Sequence, residues 1–432
     1  MKSIWQQTSL PQFPQLSGDI KTDVLIIGGG MAGLLTAYYL HQNGIEYVLL
    51  EKERLCGGNT QNTTAKITAQ HGLIYSKISQ SSGLETARKY LDANMVALRE
   101  YSKLCEDIDC DYEVKDSLVY SGNKSKLKKE FKTLQEIGAP AELYKEIPLP
   151  IETAGAIKFS QQAQFNPLKF LAGIIGELNI YEHTWVREMI GNTAVTDSGK
   201  IAADRVVCTT HFPFINKHGS YFLKMYQHRS YVIALENAPN VDGMYADEKN
   251  SGLSFRNYQG LLLLGGGGSR TGKKSGSWGE LRSFAREHYP QAKEKFFWAA
   301  QDCMSLDGIP YIGKYSAHTP NFYVATGFNK WGMTSSMLAG MIISDMLMGR
   351  ENQFTDIFNP SRSILKPQLF LNGVEAIANL LTPAPKVCPH LGCALKWNRA
   401  EHSWDCPCHG SRFNEDGRVL DNPSNGNLKV NN

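Results

Sequence analysis

No apolar run in this 432-residue sequence is long enough to cross a bilayer. Val24–Leu40 is interrupted by three consecutive glycines, and Met337–Met348 by Asp345. The first twenty residues lack the apolar core of a secretory signal, so a cytoplasmic protein without a membrane span is expected. An excess of one charge is also missing: the net charge is +3, which suits no polyanionic partner. The densest basic run, Lys124 to Lys132, is broken by Leu127 and Glu130. It reads as a solvated helix face, and nucleic-acid binding is not expected. With 42% hydrophobic and 20% charged residues the chain is neither disordered nor fibrous. Its length allows two or three domains with buried cores. Five of the nine cysteines (Cys56, Cys105, Cys110, Cys208 and Cys303) follow no spacing and read as buried thiols. The other four lie between Cys388 and Cys408.

Near the N-terminus, Asp23–Ile27 has the composition of a buried parallel strand. It runs into Gly28-Gly29-Gly30-Met31-Ala32-Gly33, and a helical pattern follows from Leu34 to about Leu40. Asn43-Gly44 closes that helix with a residue suited to positive φ. A second strand, Tyr47–Leu50, ends at Glu51, eighteen residues after Gly33. This is a β-α-β unit with G-x-G-x-x-G at its first turn. Gly28 permits the tight turn, Gly30 admits a pyrophosphate, and Gly33 lets helix and strand pack closely. The helix N-terminus offers unpaired N–H groups to phosphates, and Glu51 can accept from a ribose. These features specify a dinucleotide without separating FAD from NAD.

The rest of the chain resembles the D-amino-acid-oxidase and glycine-oxidase family of FAD-dependent oxidoreductases, over roughly residues 20 to 358. The similarity is carried by Asn59–Lys66, which follows the acid. Farther on it is carried by Asp307–Gly313, Asn321–Phe328 and Trp331-Gly332-Met333-Thr334. In that family the last of these opens a helix whose positive end faces the flavin pyrimidine ring. The resemblance implies FAD contacts at Gly28, Gly30, Met31, Ala32, Gly33, Glu51 and Lys52. It implies further contacts at Thr64, Ala65, Val186, Gly327, Trp331, Gly332, Met333 and Thr334. It also implies an α/β, Rossmann-like FAD-binding domain interleaved with an antiparallel-sheet substrate domain, α+β overall. Flavin segments near 20–75, 155–210 and 300–350 would alternate with substrate segments near 76–154 and 211–299. Ala202–Val207 looks like the returning flavin-domain strand, and Ser230–Leu235 and Leu261–Leu264 like strands of the substrate sheet. An amino-acid substrate needs a bidentate cation for its carboxylate. Arg229 and Arg256 are candidates, with surface ion pairing as the other reading. Lys66 and His71 fall near the flavin by sequence, and Lys66 either touches the isoalloxazine or pairs with an acid.

Cys388-Pro389-His390-Leu391-Gly392-Cys393 and Cys406-Pro407-Cys408-His409-Gly410-Ser411 make a metal site the default. Structural zinc also accepts such ligands, but six exceed what one tetrahedral ion needs. The two boxes resemble a cytochrome bc1-type Rieske centre, a small all-β module expected at 386–432 after a helix and linker at 359–385. The resemblance implies that Cys388 and Cys406 hold one iron and His390 and His409 the other. Neutral histidine ligands raise the cluster's potential. It pairs Cys393 with Cys408 in a disulfide, with a free dithiol as the alternative in a reducing compartment. Asn422-Pro423-Ser424 falls at the family's proline loop. Ser411 keeps one sulfur-directed hydroxyl, and Phe413 stands where a tyrosine would supply another. A full Rieske domain builds several strands before its first box, whereas only thirty-seven residues separate Arg350 from Cys388. The base sheet is therefore expected to be missing, with the cluster loops packed on the flavin domain or the site degenerate. The reading is a dehydrogenase acting on an amine or amino acid, passing electrons from FAD through a [2Fe–2S] cluster to an acceptor. An oxygen-using oxidase with a degenerate metal loop and a redox-responsive flavin-binding protein are the alternatives.

Overall fold

The computed structural model describes residues 2–215 and 218–428. Two sheets share the first three-quarters of the chain, and the sequence passes repeatedly from one to the other. The first has eight strands, with Phe322–Thr326, Lys200–Cys208, Ile20–Ile27, Tyr47–Leu50 and Ile180–Tyr181 running parallel at its centre. Val24–Ile27 and Tyr47–Leu50 are buried throughout, as strands covered on both faces must be. Helices Met31–Gln42 and Gly332–Leu347 pack against each other. Gly340 lets them close, since a Cβ there would lie 3.0 Å from the Leu35 carbonyl carbon.

The second sheet has nine strands, running from Lys293–Ser305 and Met225–Glu236 to Ala156–Gln164 and Lys66–Ile67. Its pairings are antiparallel except that between Met244–Asp247 and Glu113–Tyr120. Two expected segment boundaries shift here. Ala156–Gln164 was assigned to the flavin segment, yet it pairs with Glu113–Tyr120 in the second sheet. Likewise the second sheet keeps Lys293 through Ser305, past the expected boundary near 300. Pairing partners decide which sheet each strand joins. Within helix Lys124–Glu136, Glu130 is buried rather than solvated. Its two oxygens accept from the Tyr75 and Ser76 N–H groups, each at 2.8 Å, at the start of helix Tyr75–Ser82.

Of the helix expected from Asn359, only Pro367–Leu380 is helical, and a separate short helix, Thr355–Phe358, precedes it. Pro360 and Pro367 disfavour helical backbone in the residues before them. The C-terminal module is a four-stranded antiparallel sheet of Lys396–Asn398, Ser403–Asp405, Arg412–Phe413 and Val419–Asp421. This sheet follows the first box, and the module rests on the flavin body. No helix among the described residues is long and apolar enough to cross a membrane.

Candidate functional site

The G-x-G-x-x-G turn lies between strand Ile20–Ile27 and helix Met31–Gln42. Gly28 has φ +112°, and a Cβ on it would stand 2.7 Å from the Thr209 carbonyl oxygen. Glu51 is half-buried at the end of the second strand, with one carboxylate oxygen 2.8 Å from the Gly29 N–H. Burial raises its pKa, while N–H groups of Glu53 and Gly29 oppose the rise. Thr60, which the sequence reading missed, accepts from the Met31 N–H at 3.0 Å.

A cavity of about 880 Å³ starts at this turn. Gly28, Gly30, Met31, Ala32, Glu51 and Lys52 line one end. Thr64, Val186, Gly327, Trp331, Gly332 and Met333 line it elsewhere. A cleft lined by the starts of two helices and by an acid at the ribose position fits an extended dinucleotide. Three expected contacts stand behind the wall. Gly33 packs on Gly28, Ala65 is fully buried, and the Thr334 hydroxyl lies 3.1 Å from His71 Nε2. His71 also stacks on Trp331, with ring centroids 5.0 Å apart.

Both arginine candidates are corrected. Neither lines the cavity. Arg256 is buried and donates to the carbonyls of Thr64 and Ala65 at 2.7 and 2.8 Å, holding the flavin segment in shape. Arg229 is committed to Glu401 of the C-terminal module, with Nε 2.8 Å from Oε1. Lys66 and Lys330 are two of the six lysines that line the cavity. Lys66 donates to the Tyr245 carbonyl at 3.1 Å, and burial, with Arg256 adding to it, pushes its pKa down to about 7. Lys330 donates to Ser230 Oγ at 3.0 Å and to the Asn250 carbonyl at 2.6 Å. Burial lowers it to about 8, against the opposing charge of Asp302. Lys330 was legible only as a residue between Asn329 and Trp331; its positive φ of 72°, which turns it into the cavity, has no sequence signature.

In the C-terminal module the four expected ligands converge. The Cys388 thiol lies in hydrogen-bond contact with Cys406, which, ahead of opposing burial and the Ser411 hydroxyl, brings its pKa down to about 7. The rings of His390 and His409 are 5.0 Å apart. His409 Nδ1 is buried with no hydrogen-bond partner, as a nitrogen kept for a metal would be. Cys406 Sγ also lies within 4.8 Å of the sulfurs of Cys393 and Cys408. Those two are joined in a disulfide and are not ligands. Two thiols and two imidazoles on facing loops fit a mixed-ligand [2Fe–2S] centre.

The module is fastened to the flavin body at the cluster itself. Gln227 Nε2 donates to the carbonyls of His409 and Asn422, each at 2.8 Å. Gln301 donates to that of Gly410 at 2.8 Å, and Arg270 to those of Pro407 and Cys408, each at 3.0 Å. Between the two sites runs one stretch of chain. Thr209, Thr210 and His211 line the cavity. The ring of the next residue, buried Phe212, stands 6.4 Å from that of His390 and 6.3 Å from that of His409.

Fold and site together define a flavoprotein oxidoreductase that carries its own iron–sulfur centre. The family model described as FAD dependent oxidoreductase matches residues 23–346, and that of the Rieske [2Fe-2S] domain matches 381–431. The chain belongs to the FAD-dependent oxidoreductase family; its first region binds FAD and its last a [2Fe–2S] cluster. It is 34% identical to a putative Rieske 2Fe-2S iron-sulfur protein, YhfW, of Bacillus subtilis over 495 aligned positions, covering 99% of this chain and 97% of that one. It is 24% identical to gamma-glutamylputrescine oxidoreductase of Escherichia coli, covering 80% of this chain and 88% of that one. The fold matches glycine oxidase from Geobacillus kaustophilus with a TM-score of 0.65 at 21% identity, covering 79% of this chain and 99% of that one.

Hydroxyls that donate hydrogen bonds to the cluster sulfurs tune such clusters. Ser411 Oγ accepts from the Ser424 N–H at 2.9 Å, which leaves its own proton for Cys388. Phe413 is buried in the same apolar cluster as Cys388 and Cys406. Ser411→Ala should lower the cluster's midpoint by some tens of millivolts, and Phe413→Tyr should raise it comparably. Protein-film voltammetry checks both; unchanged midpoints would show that hydroxyls at these positions do not reach the sulfurs.

Proposed function

We propose that the protein oxidises the C–N bond of an amine or amino acid and passes the electrons through its Rieske centre to an external acceptor. The observation that carries this reading is the stretch Thr209–Phe212, which is cavity wall on one side and touches both histidines on the other. A route one residue thick suits electron transfer between the two sites better than release to solvent. Bound FAD would supply a hydride acceptor and the cluster a one-electron carrier, with the substrate leaving as an imine after loss of one proton. What the chain contributes is orientation and proton handling. Lys330, still largely protonated at neutral pH, offers a half-buried cation to a substrate carboxylate or other anionic group. Lys66, half-neutral near pH 7, can take the proton that an ammonium substrate must lose before its nitrogen lone pair assists hydride departure.

The sign follows from the lowered pKa. The base is the neutral form of Lys66, present above about pH 7 and lost below it. The rate of anaerobic flavin reduction should therefore rise with pH and level off above about pH 7. Lys66→Met should remove that limb while FAD stays bound; stopped-flow absorbance across pH reads it. The reading as a whole is tested by an anaerobic screen of amines and amino acids for flavin bleaching. Bleaching by a hydroxy acid and by no amine would overturn it, and stoichiometric peroxide in air would assign the oxidase alternative.

A further inference from the structure

Helix Pro367–Leu380, which joins the flavin body to the cluster module, is built inside out. Its inward residues are polar. Asn372 and Asn379 are buried, and Asn372 Oδ1 accepts from Arg270 at 3.0 Å. The backbone carbonyl of Asn379 accepts from the Ala394 N–H, also at 3.0 Å. Its outward residues are apolar: Phe370 is 75% exposed, Leu371 57%, Val374 51%, Ile377 60%, and Leu381 just beyond the end 77%. These recur at helical spacing along one face. A surface helix normally turns such a stripe inward. The single charged residue of the helix, Glu375, is held by Lys273 at 2.7 Å.

The surroundings are basic. Lys366 precedes the helix, Lys386 follows it, and Lys273 stands beside its middle, paired with Glu375. We infer that this helix docks in the interface of a bilayer containing anionic lipid, lying parallel to the surface with Phe370, Leu371, Val374, Ile377 and Leu381 among the acyl chains. Two observations favour lipid over a protein surface. The face holds no hydrogen-bonding side chain, whereas protein interfaces are enriched in Tyr and Arg and carry regular hydrogen bonds. An apolar stripe edged by lysines is the pattern of helices that bind anionic membranes. At fourteen residues the helix is too short to span one. Docking would also bring the redox sites to the apolar phase. Leu371 lines the flavin cavity, and Gly392 of the first cluster loop lies against Leu380, 4.0 Å from where its Cβ would be. The inference does not depend on which substrate the flavin oxidises.

Flotation of the loaded, full-length protein with vesicles tests it. The protein should float with mixed phosphatidylglycerol–phosphatidylcholine vesicles and float less with phosphatidylcholine alone. High salt should weaken the binding. Phe370→Ser combined with Ile377→Ser should cut the bound fraction about tenfold or more, with flavin and cluster spectra unchanged. Either of two results would overturn the inference: protein that stays unbound with both vesicle types, or a double variant that floats like the parent. A concentration-dependent dimer that the double variant splits, without vesicle binding, would instead assign the face to a second copy of the chain.

Discussion

Gly33→Ala should yield protein that purifies without FAD. A Cβ at Gly33 would lie 2.0 Å from the Gly28 carbonyl oxygen and 2.8 Å from Thr209 Oγ1. The first contact is with backbone and cannot rotate away. Gly28 cannot give way either, because it is fixed at φ +112° against Thr209. The remaining relief is for helix Met31–Gln42 to lift off its strand, which takes the N–H groups at its start away from the phosphate position. Overpacking of this kind costs about 1–3 kcal/mol or more, and the loss falls on FAD affinity first. Flavin content per protein should drop at least about tenfold, the equivalent of about 1.4 kcal/mol. Gly44→Asn is the control: Gly44 has φ +67°, a conformation asparagine tolerates, and nothing lies within 4 Å of its Cβ position. Equal flavin content in the two variants would remove the steric account of the turn.

Glu401→Gln should loosen the cluster module from the flavin body by about 3–5 kcal/mol, the cost of breaking a buried ion network by removing one partner. Glu401 sits between Arg229 of the second sheet, at 2.8 Å, and Arg412 of the module, at 2.9 Å. Arg412 also reaches Asp405 at 3.0 Å and Asp421 at 2.9 Å. Burial alone would raise the Glu401 carboxyl, but the two guanidinium groups override it and hold the pKa at about 2. A depressed carboxylate pKa contributes stability that is complete above the unfolded value and fades as pH falls toward the folded one. Acid should therefore release the module between about pH 4.5 and 2 in the parent protein, whereas the glutamine variant is weakened already at neutral pH. Visible circular dichroism of the cluster, followed in urea beside flavin fluorescence, separates the two sites. A cluster transition that does not move in the variant would show that the network contributes nothing to attachment.

Much of the site was legible because its signals are local. The turn at Gly28–Gly33, the acid at Glu51 and the two cysteine–histidine boxes each lie within a few dozen residues, so spacing alone carries their chemistry. The short distance from Arg350 to Cys388 left little room for strands before the first box, but it did not show the four-stranded sheet that follows it. What sequence could not show is partnership at long range. Arg229 reads as a substrate cation until the fold brings Glu401, 172 residues away in sequence, onto its guanidinium. Arg256 reads the same way until its donors are found on the Thr64 and Ala65 carbonyls. Lys330 faces the cavity because of a left-handed backbone that no composition announces. The segment near 155 was misplaced because its sequence does not show that Ala156–Gln164 pairs with Glu113–Tyr120. Helix Pro367–Leu380 shows the limit from the other side: periodicity reveals an apolar face but not that it looks outward.

The central claim is that electrons taken from substrate reach the cluster by way of the flavin. It is tested most directly by electron paramagnetic resonance on the loaded protein, frozen anaerobically after adding an amine or amino acid that bleaches the flavin. The account predicts the signal of a reduced, histidine-ligated [2Fe–2S] centre, with its low average g value, in the parent protein. In Cys406→Ser the flavin should bleach as before and the signal should be missing. A flavin that bleaches fully in the parent while the intact cluster stays oxidised would contradict it.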